Sequence, residues 1–407
     1  MTDAADPALH LGVALDGAGW HPAAWREPSA RPDELFDARY WADLARTAER
    51  GGLDLITIED TLTLQSSTSP IDPAGPDERT DQVRGRLDAS LVASRLATAT
   101  EHIGLVPVVT TTHTEPFHVA KAVATLDHVS HGRGGWQVRV GGHGAEAALF
   151  GRRQFEPIDL AAITAGTLPD SVAERFDEAV DAVEVVRRLW DSWEDDAEIR
   201  DVATRRFIDR DKVHTIDFQG RWFSVRGPGI VPRSPQGQPV VAVLAHQRVP
   251  YELAARSGDL VFVTPPLGAD AVGVLADVRA AEAAVGRDGA PLQVWADLVV
   301  LLDGPGESAV DRLARLDERA GSPLTSDAAV AVGSAAALAD QIETWHRLGY
   351  AGVRLRPAVA TDDLPRIVDD LAPELQRRGL VRSGYREATL RGHLGLPTTV
   401  PNRYAAV

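Results

Sequence analysis

Four of the twelve histidines stand at or just past the ends of short apolar, β-branched runs. His21 follows HLGVALDGAGW, His113 follows IGLVPVVTTT, His143 follows GGWQVRVGG and His246 follows PVVAVLA. Near them lie Asp16, Arg26, Glu59, Asp60, Thr61, Thr110, Thr111, Thr112, Ala245 and Gln247, with Trp20, Trp25 and Trp136 alongside. Imidazoles, carboxylates and hydroxyls beside indoles suit a planar organic ligand held by stacking and a few polar contacts. They suit a metal poorly, because there is no HxH pair and no carboxylate-rich strand end, so no protein-bound metal is expected.

Each of these residues has a plainer reading beside the chemical one. His113, just before Thr114-Glu115-Pro116, could serve only to start a helix, and Asp60 could cap one. Trp136 inside a strand reads as core. Arg133, between two glycines, reads as a structural ion-pair partner. His21 in GWHPAAWR is the hardest to explain structurally, since it sits in a loop where neither helix packing nor a strand face requires it.

Composition excludes several other chemistries. The chain has no cysteine, which removes disulfides, thiolate metal sites and thiol nucleophiles together. Its net charge of -17 repels nucleic acid and anionic membrane, and its basic clusters, such as Arg205-Arg206 and Arg377-Arg378, are short. There is no GxxxxGK[ST] loop, HExxH helix or GxSxG elbow. The N-terminal MTDAADPALHLGV lacks a signal-peptide pattern, and no apolar run approaches the ~20 residues of a membrane span, so a cytoplasmic protein is expected.

The elements that must position these residues follow an alternating rhythm. HLGVALD, LDLITIED, IGLVPVVTTT, GGWQVRV, PVVAVLA, LVFVT, LQVWADLVVLLD and GVRLRPA read as strands. Between or beside them, FDARYWADLARTAERGG, LDASLVASRLATAT, EPFHVAKAVATLDHVS, SVAERFDEAVDAVEVVRRLWDSW, VPYELAARSG, ADAVGVLADVRAAEAAVG and ALADQIETWHRLGY read as helices. In the longest of these, Ser171 and Glu174 have capping-box spacing. Eight strands with interleaved helices point to a closed (β/α)8 TIM barrel of the α/β class, with a doubly wound open sheet as the alternative.

A single barrel domain over residues 1–407 is expected, with insertions at about 61–86, 141–170 and 194–239 and a C-terminal extension at about 380–407. The first two follow strands and so fall on the C-terminal face, where barrels build active sites. The third precedes a strand and falls nominally on the opposite face, with FQGRWFSV in it reading as a small hairpin.

TEPFHVAKAVATLDHVSHGRGGWQV resembles the luciferase-like flavin-dependent monooxygenases, in the branch of nitrilotriacetate, dibenzothiophene-sulfone and long-chain alkane monooxygenases. HPAAWR, VEVVRRLWDSW, FQGRWFSVRGPGIVPRSPQGQPVV, LAPELQRRGLVRSGY, TLRGHLGLP and NRY agree with it in order along nearly the whole chain. The resemblance implies a TIM barrel that takes reduced FMN as a diffusing co-substrate from a separate NAD(P)H:flavin reductase. With O2 as oxidant, it oxidises a small or medium organic substrate. It further implies a flavin over the ends of strands 2 to 4, touching Asp60, Thr110 or Thr111, and Gln137. His21 would face the substrate, and with His143 it makes up the catalytic candidates. A homodimer or homotetramer is implied as well.

The chain departs from the family pattern at the flavin phosphate. Val172 and Phe176 stand where the family has His and Tyr, and Ala245, His246 and Gln247 stand where it has a Gly-Ser turn. Gln137 replaces an Asn, and Val140-Gly141 a Thr-Ser pair. On one reading, His246, Gln247, Arg248 and Arg175 are expected as replacement donors for the phosphate of FMN or of a related deazaflavin. The other reading of the same losses is a non-catalytic relative acting as a partner subunit or binding protein.

Overall fold

The computed structural model describes residues 9–65, 79–155 and 169–405. The central parts of the insertions expected at 61–86 and 141–170 lie outside these described residues. Thirteen strands are present among them: β1 His10–Leu15, β2 Leu55–Ile58, β3 Gly104–Thr110, β4 Gly135–Arg139, β5 Glu198–Asp201, β6 Arg206–Ile208, β7 Phe218–Gln219, β8 Ser224–Val225, β9 Val240–Leu244, β10 Leu260–Val263, β11 Gln293–Leu302, β12 Ala329–Gly333 and β13 Gly352–Pro357. The helices are α1 Ala38–Arg50, α2 Ala89–Ala97, α3 Pro116–Val129, α4 Gly144–Phe150, α5 Asp170–Asp191, α6 Arg248–Ser257, α7 Val272–Val285, α8 Ala309–Ala320, α9 Ala335–Leu348, α10 Ala360–Arg366, α11 Ala372–Arg377 and α12 Leu390–His393.

Parallel strands pair in the order β10, β9, β4, β3, β2, β1, β13, β11, and the β10–β11 pairing closes the ring. That closure, Leu260 against Gln293 through Val263 against Ala296, excludes the open-sheet alternative. Apolar runs such as LITI and LVFV are buried throughout, as strands covered on both faces must be. β11 is long enough to pair β10 along its first residues and β12 from Leu298 to Leu302, so β12 continues the wall above β10.

Local chemistry sets the helix ends. The side chains of Asp37, Ser308 and Ser334 accept amide hydrogens in the first turns of α1, α8 and α9. α3 opens on Pro116, and Ser130 follows its last residue. The capping box expected at Ser171 and Glu174 does not form. α5 begins two residues earlier than that cap would set it, after Pro169, whose extended backbone leaves Ser171 inside the first turn. α8 and β12, at 309–320 and 329–333, are two further elements beyond those expected from the sequence.

The lower barrel interior is apolar. Leu55, Val106, Val240, Ala242, Leu260, Phe262 and Trp295 pack there, and Leu390 and Leu394 of the C-terminal tail close it from below. A Cβ on Gly352 would lie 2.7 Å from the Trp295 indole, so glycine at that position is what admits the ring. The β7–β8 hairpin forms in FQGRWFSV, and the segment around it packs with the tail: Arg233 donates to the Val400 carbonyl and Asn402 to those of Asp191 and Trp193. Among the described residues no helix is long and apolar enough to cross a membrane.

Candidate active site at the barrel mouth

Above the apolar floor the interior turns ionic. Arg354 on β13 faces Asp297 on β11 in the strand register, and its Nε and Nη2 donate to the two carboxylate oxygens at 2.6 and 2.5 Å. Arg356, two residues on and so on the same face, donates its Nε to Asp297 at 2.9 Å and its Nη1 to Asp327 at 2.6 Å. Burial alone would raise the Asp297 pKa, but the two guanidiniums hold it below the ordinary carboxylate range. Arg354 Nη1 also donates to Gln137 Oε1 at 2.6 Å and to Thr57 Oγ1 at 3.1 Å, and it reaches Glu59 at 3.4 Å.

Toward β3 and β4 a second cluster forms. Arg139 donates to Glu146 Oε1 at 2.6 Å and to Thr110 Oγ1 at 3.1 Å, and Thr61 donates to the same carboxylate at 3.2 Å. Glu146 is fully buried, and Arg139 keeps its pKa low against the opposing effect of burial. Thr111 donates to the Arg139 carbonyl, and Thr112 accepts the Gly141 amide at 2.8 Å. The His113 ring stacks on Phe150 at 4.8 Å, and burial lowers its pKa, so the imidazole is neutral near pH 7. His113 Nε2 and Glu146 Oε2 are buried without a hydrogen-bond partner among the described residues. Both side chains border Gly141, where a Cβ would stand 2.7 Å from Glu146 Oε2 and 3.4 Å from His113 Cδ2.

On the opposite side, Arg356 lies over the Trp20 ring at 4.5 Å, and Trp20 Nε1 is another buried atom without a partner. His246 contacts Thr264 Oγ1 at 2.9 Å and Asp327 at 3.4 Å. Glycine at position 19 lets the first loop lie close to β13, since a Cβ there would meet the Ala358 carbonyl oxygen at 2.3 Å.

The candidates read from sequence are thus only partly brought together. Thr110 and Thr111 join the β3–β4 cluster, and Gln137 lies beneath the mouth, tied to Arg354. Asp60 turns outward: its Oδ2 accepts the Ala89 amide at 3.0 Å at the start of α2, the plain capping role. His21 has a wholly buried side chain, with Nε2 on Asp317 at 3.0 Å and Nδ1 accepting the Ala23 amide at 3.1 Å. Both ring nitrogens are therefore used within the protein. His143 is half-buried at the start of α4, and burial lowers its pKa.

The four expected phosphate donors do not share one partner set. Arg175 donates to the carbonyls of Ser171 and Gly142 and lies over Phe155 at 4.1 Å, while Arg248 pairs with Glu252. Gln247 is the residue before α6 and gives that helix no side-chain cap. Phe176 is half-buried against the core, and Ala245 is buried with its amide donating to the Phe262 carbonyl. Arg133 departs from the reading as an ion-pair partner: its guanidinium donates to the carbonyls of Ala97, Thr100, Ile103 and Ser130 and to the Thr100 hydroxyl.

Sequence reasoning missed Arg139, Glu146, Asp297, Asp327, Arg354 and Arg356. A signal was present in GVRLRPA and QVWADLVV, where charges interrupt apolar strands and, in the first, recur with the strand period of two.

Comparison with known proteins places the chain in a family. The chain is 31% identical to nitrilotriacetate monooxygenase component A of Aminobacter aminovorans, across 96% of this chain and 97% of that protein. Its structure matches that of a long-chain alkane monooxygenase with a TM-score of 0.81 at 24% identity, covering 95% of each chain. It also matches a riboflavin lyase solved with modified FMN and riboflavin, with a TM-score of 0.78 at 24% identity, again over 95% of each chain. The model of the luciferase-like monooxygenases fits residues 18–354, and the chain belongs to that family.

Proposed function

We propose that the chain is the oxygenase of a two-component flavin system. It takes reduced FMN from a separate NAD(P)H:flavin reductase, together with O2, and adds one oxygen atom to a small or medium organic substrate at the barrel mouth. Family membership supports the reaction class, and the name of the nitrilotriacetate relative, a component A, supports a separate partner component.

The observation that carries the site is the set of buried polar atoms without partners, His113 Nε2, Glu146 Oε2 and Trp20 Nε1, around a mouth already lined by hydroxyls and guanidiniums. Such atoms are costly to bury unless a ligand completes them. They fit a flavin, which brings many hydrogen-bonding atoms on a flat ring. Thr110, Thr111, Gln137 and His113 would hold the ring, and Arg175, His246, Gln247 and the amides at the start of α6 would hold the phosphate. When bound, the flavin supplies the reducing equivalents that activate O2.

The chain's own groups do the rest. Arg139 orients Thr110 and Glu146, Arg354 orients Gln137, and the His21–Asp317 contact fixes the loop carrying Trp20. A homodimer or homotetramer belongs to the same proposal, to be read from the mass in solution. The direct test is anaerobic titration with reduced FMN by fluorescence and calorimetry. Saturable binding is the expected result, and no signal at high micromolar flavin overturns the proposal.

A further inference from the structure

Among the described residues, the carboxylates at the mouth are held by close donors, with one exception. Asp16 takes Arg86 at 2.5 Å and Gln65 at 3.0 Å, Asp60 takes the Ala89 amide at 3.0 Å, and Glu146 takes Arg139 at 2.6 Å. Asp297 takes Arg354 at 2.6 Å, and Asp327 takes Arg356 at 2.6 Å. Among the described residues Glu59 has only the 3.4 Å contact with Arg354 Nη1, a nitrogen already committed to Gln137 at 2.6 Å and Thr57 at 3.1 Å.

Its position directs it at the site. Leu55 points into the barrel interior and Thr57 meets Arg354 there, so strand alternation along β2 turns Glu59 inward at the strand's C-terminal end. Asp60 faces the other way, to α2. The Glu59 side chain is 15% exposed, open enough to exchange a proton with whatever fills the mouth.

From this geometry we infer that Glu59 is the proton donor of the oxygenation reaction, giving its carboxyl hydrogen to an oxygen atom that leaves as water. The inference rests on the flavin monooxygenase reading above. Substrate, O2 and a singly protonated reduced flavin anion become oxygenated product, oxidised flavin and water only by taking up one proton. One oxygen atom of O2 enters the substrate, the other is reduced to water by the flavin's two electrons, and the added proton completes that water. The O–H bond of Glu59 breaks, and its carboxylate is left facing Arg354 and Arg356 until solvent reprotonates it.

The groups around Glu59 suit this role. Burial raises its pKa, with Asp16 from the end of β1 adding to the rise, while Arg354 and Arg356 of β13 and Arg86 from the segment before α2 oppose it. The proton is thus retained to a higher pH than on an ordinary glutamate, and the nearby guanidiniums still allow its release.

Glu59→Gln is isosteric with the protonated side chain and should fold as the wild type does. In the protein alone, without flavin, the wild-type minus E59Q infrared difference spectrum should show a protonated carboxyl band that titrates above the ordinary carboxylate range. A band already lost at or below that range overturns the inference. In the reductase-coupled assay, E59Q should form product per flavin oxidised at least tenfold less efficiently and lose the alkaline limb of the rate profile, and Glu59→Asp should restore part of both. E59Q matching the wild type in rate, coupling and pH profile overturns the role of Glu59 alone. A wild type that forms no product with reductase, flavin and O2 overturns the function reading, and this role with it.

Discussion

His21 gives its Nε2 hydrogen to Asp317 at 3.0 Å while its Nδ1 accepts the Ala23 amide at 3.1 Å. An amide can only donate, so Nδ1 carries the lone pair and the tautomer is fixed. Asp317 Oδ1 also accepts the Leu324 amide at 2.7 Å, and one carboxylate thereby joins the loop after β1 to the segment between α8 and β12. Burial lowers the His21 pKa, and the Asp317 contact works against that.

Asp317→Ala removes the main influence opposing burial and leaves only the weaker one of Glu27, so the His21 pKa should fall further, and the stability cost should be about 1–2 kcal/mol for the lost hydrogen bonds. Imidazole nitrogen NMR across a pH series reads the tautomer and the pKa, and urea unfolding reads the stability cost. A wild-type spectrum with the proton on Nδ1 contradicts the tautomer, and an unchanged or higher pKa in the variant contradicts the electrostatics.

The buried ionic layer makes a sharper prediction. Asp297→Asn leaves Arg354 and Arg356 enclosed with their shared countercharge gone, and such breaks cost about 3–5 kcal/mol. Urea unfolding should show a loss of that size. Joint replacement of Asp297, Arg354 and Arg356 by apolar residues of similar volume should cost less than D297N alone. Equal losses in the two proteins would falsify the claim that the stranded charge, and not the lost hydrogen bonds, carries the cost.

Gly141 tests the β3–β4 cluster. An added Cβ lands 2.7 Å from Glu146 Oε2, so Gly141→Ala must displace the carboxylate from Arg139 or shift α4. Strain of this kind costs about 1–3 kcal/mol. The variant should bind reduced FMN at least tenfold more weakly, with its far-ultraviolet circular dichroism unchanged. Wild-type affinity in the folded variant would remove this cluster from the flavin site.

How far the chain announces this arrangement differs by level. The barrel strands were legible because runs such as VVAVL and LVFV are apolar throughout and separated by helical periodicity. β12 escaped because AVAVG is short, half-buried and paired only along the upper part of β11. The site was less legible for a geometric reason. Asp60 and Glu59 are adjacent in sequence, yet one caps α2 and the other enters the mouth, a choice set by strand alternation and the barrel's inside face. His21 attracted a chemical role as an unexplained loop histidine, because its partner Asp317 is distant in sequence and lies on a helix that the sequence reading passed over. Arg133 shows the same limit: a clamp on four carbonyls leaves no charge pattern in the sequence.

The plug beneath the barrel carries a pH dependence that can be isolated at one residue. His393 in α12 is buried, its Nε2 meets the His102 carbonyl at 2.9 Å, and burial together with Arg382 lowers its pKa from 6.5 to about 4. The folded protein then binds fewer protons than the unfolded chain between those values. Stability from this group is complete above pH 6.5 and is lost as the pH falls toward about 4. The difference between the two values corresponds to about 3 kcal/mol. His393→Gln keeps a donor for the His102 carbonyl but cannot titrate. Its unfolding free energy should fall less steeply than the wild type's between pH 6.5 and about 4, by up to that amount, while the two proteins differ by only about 1 kcal/mol near pH 7. Denaturant midpoints measured at half-unit pH steps give the comparison, and parallel curves for the two proteins would show that His393 is already protonated in the folded state.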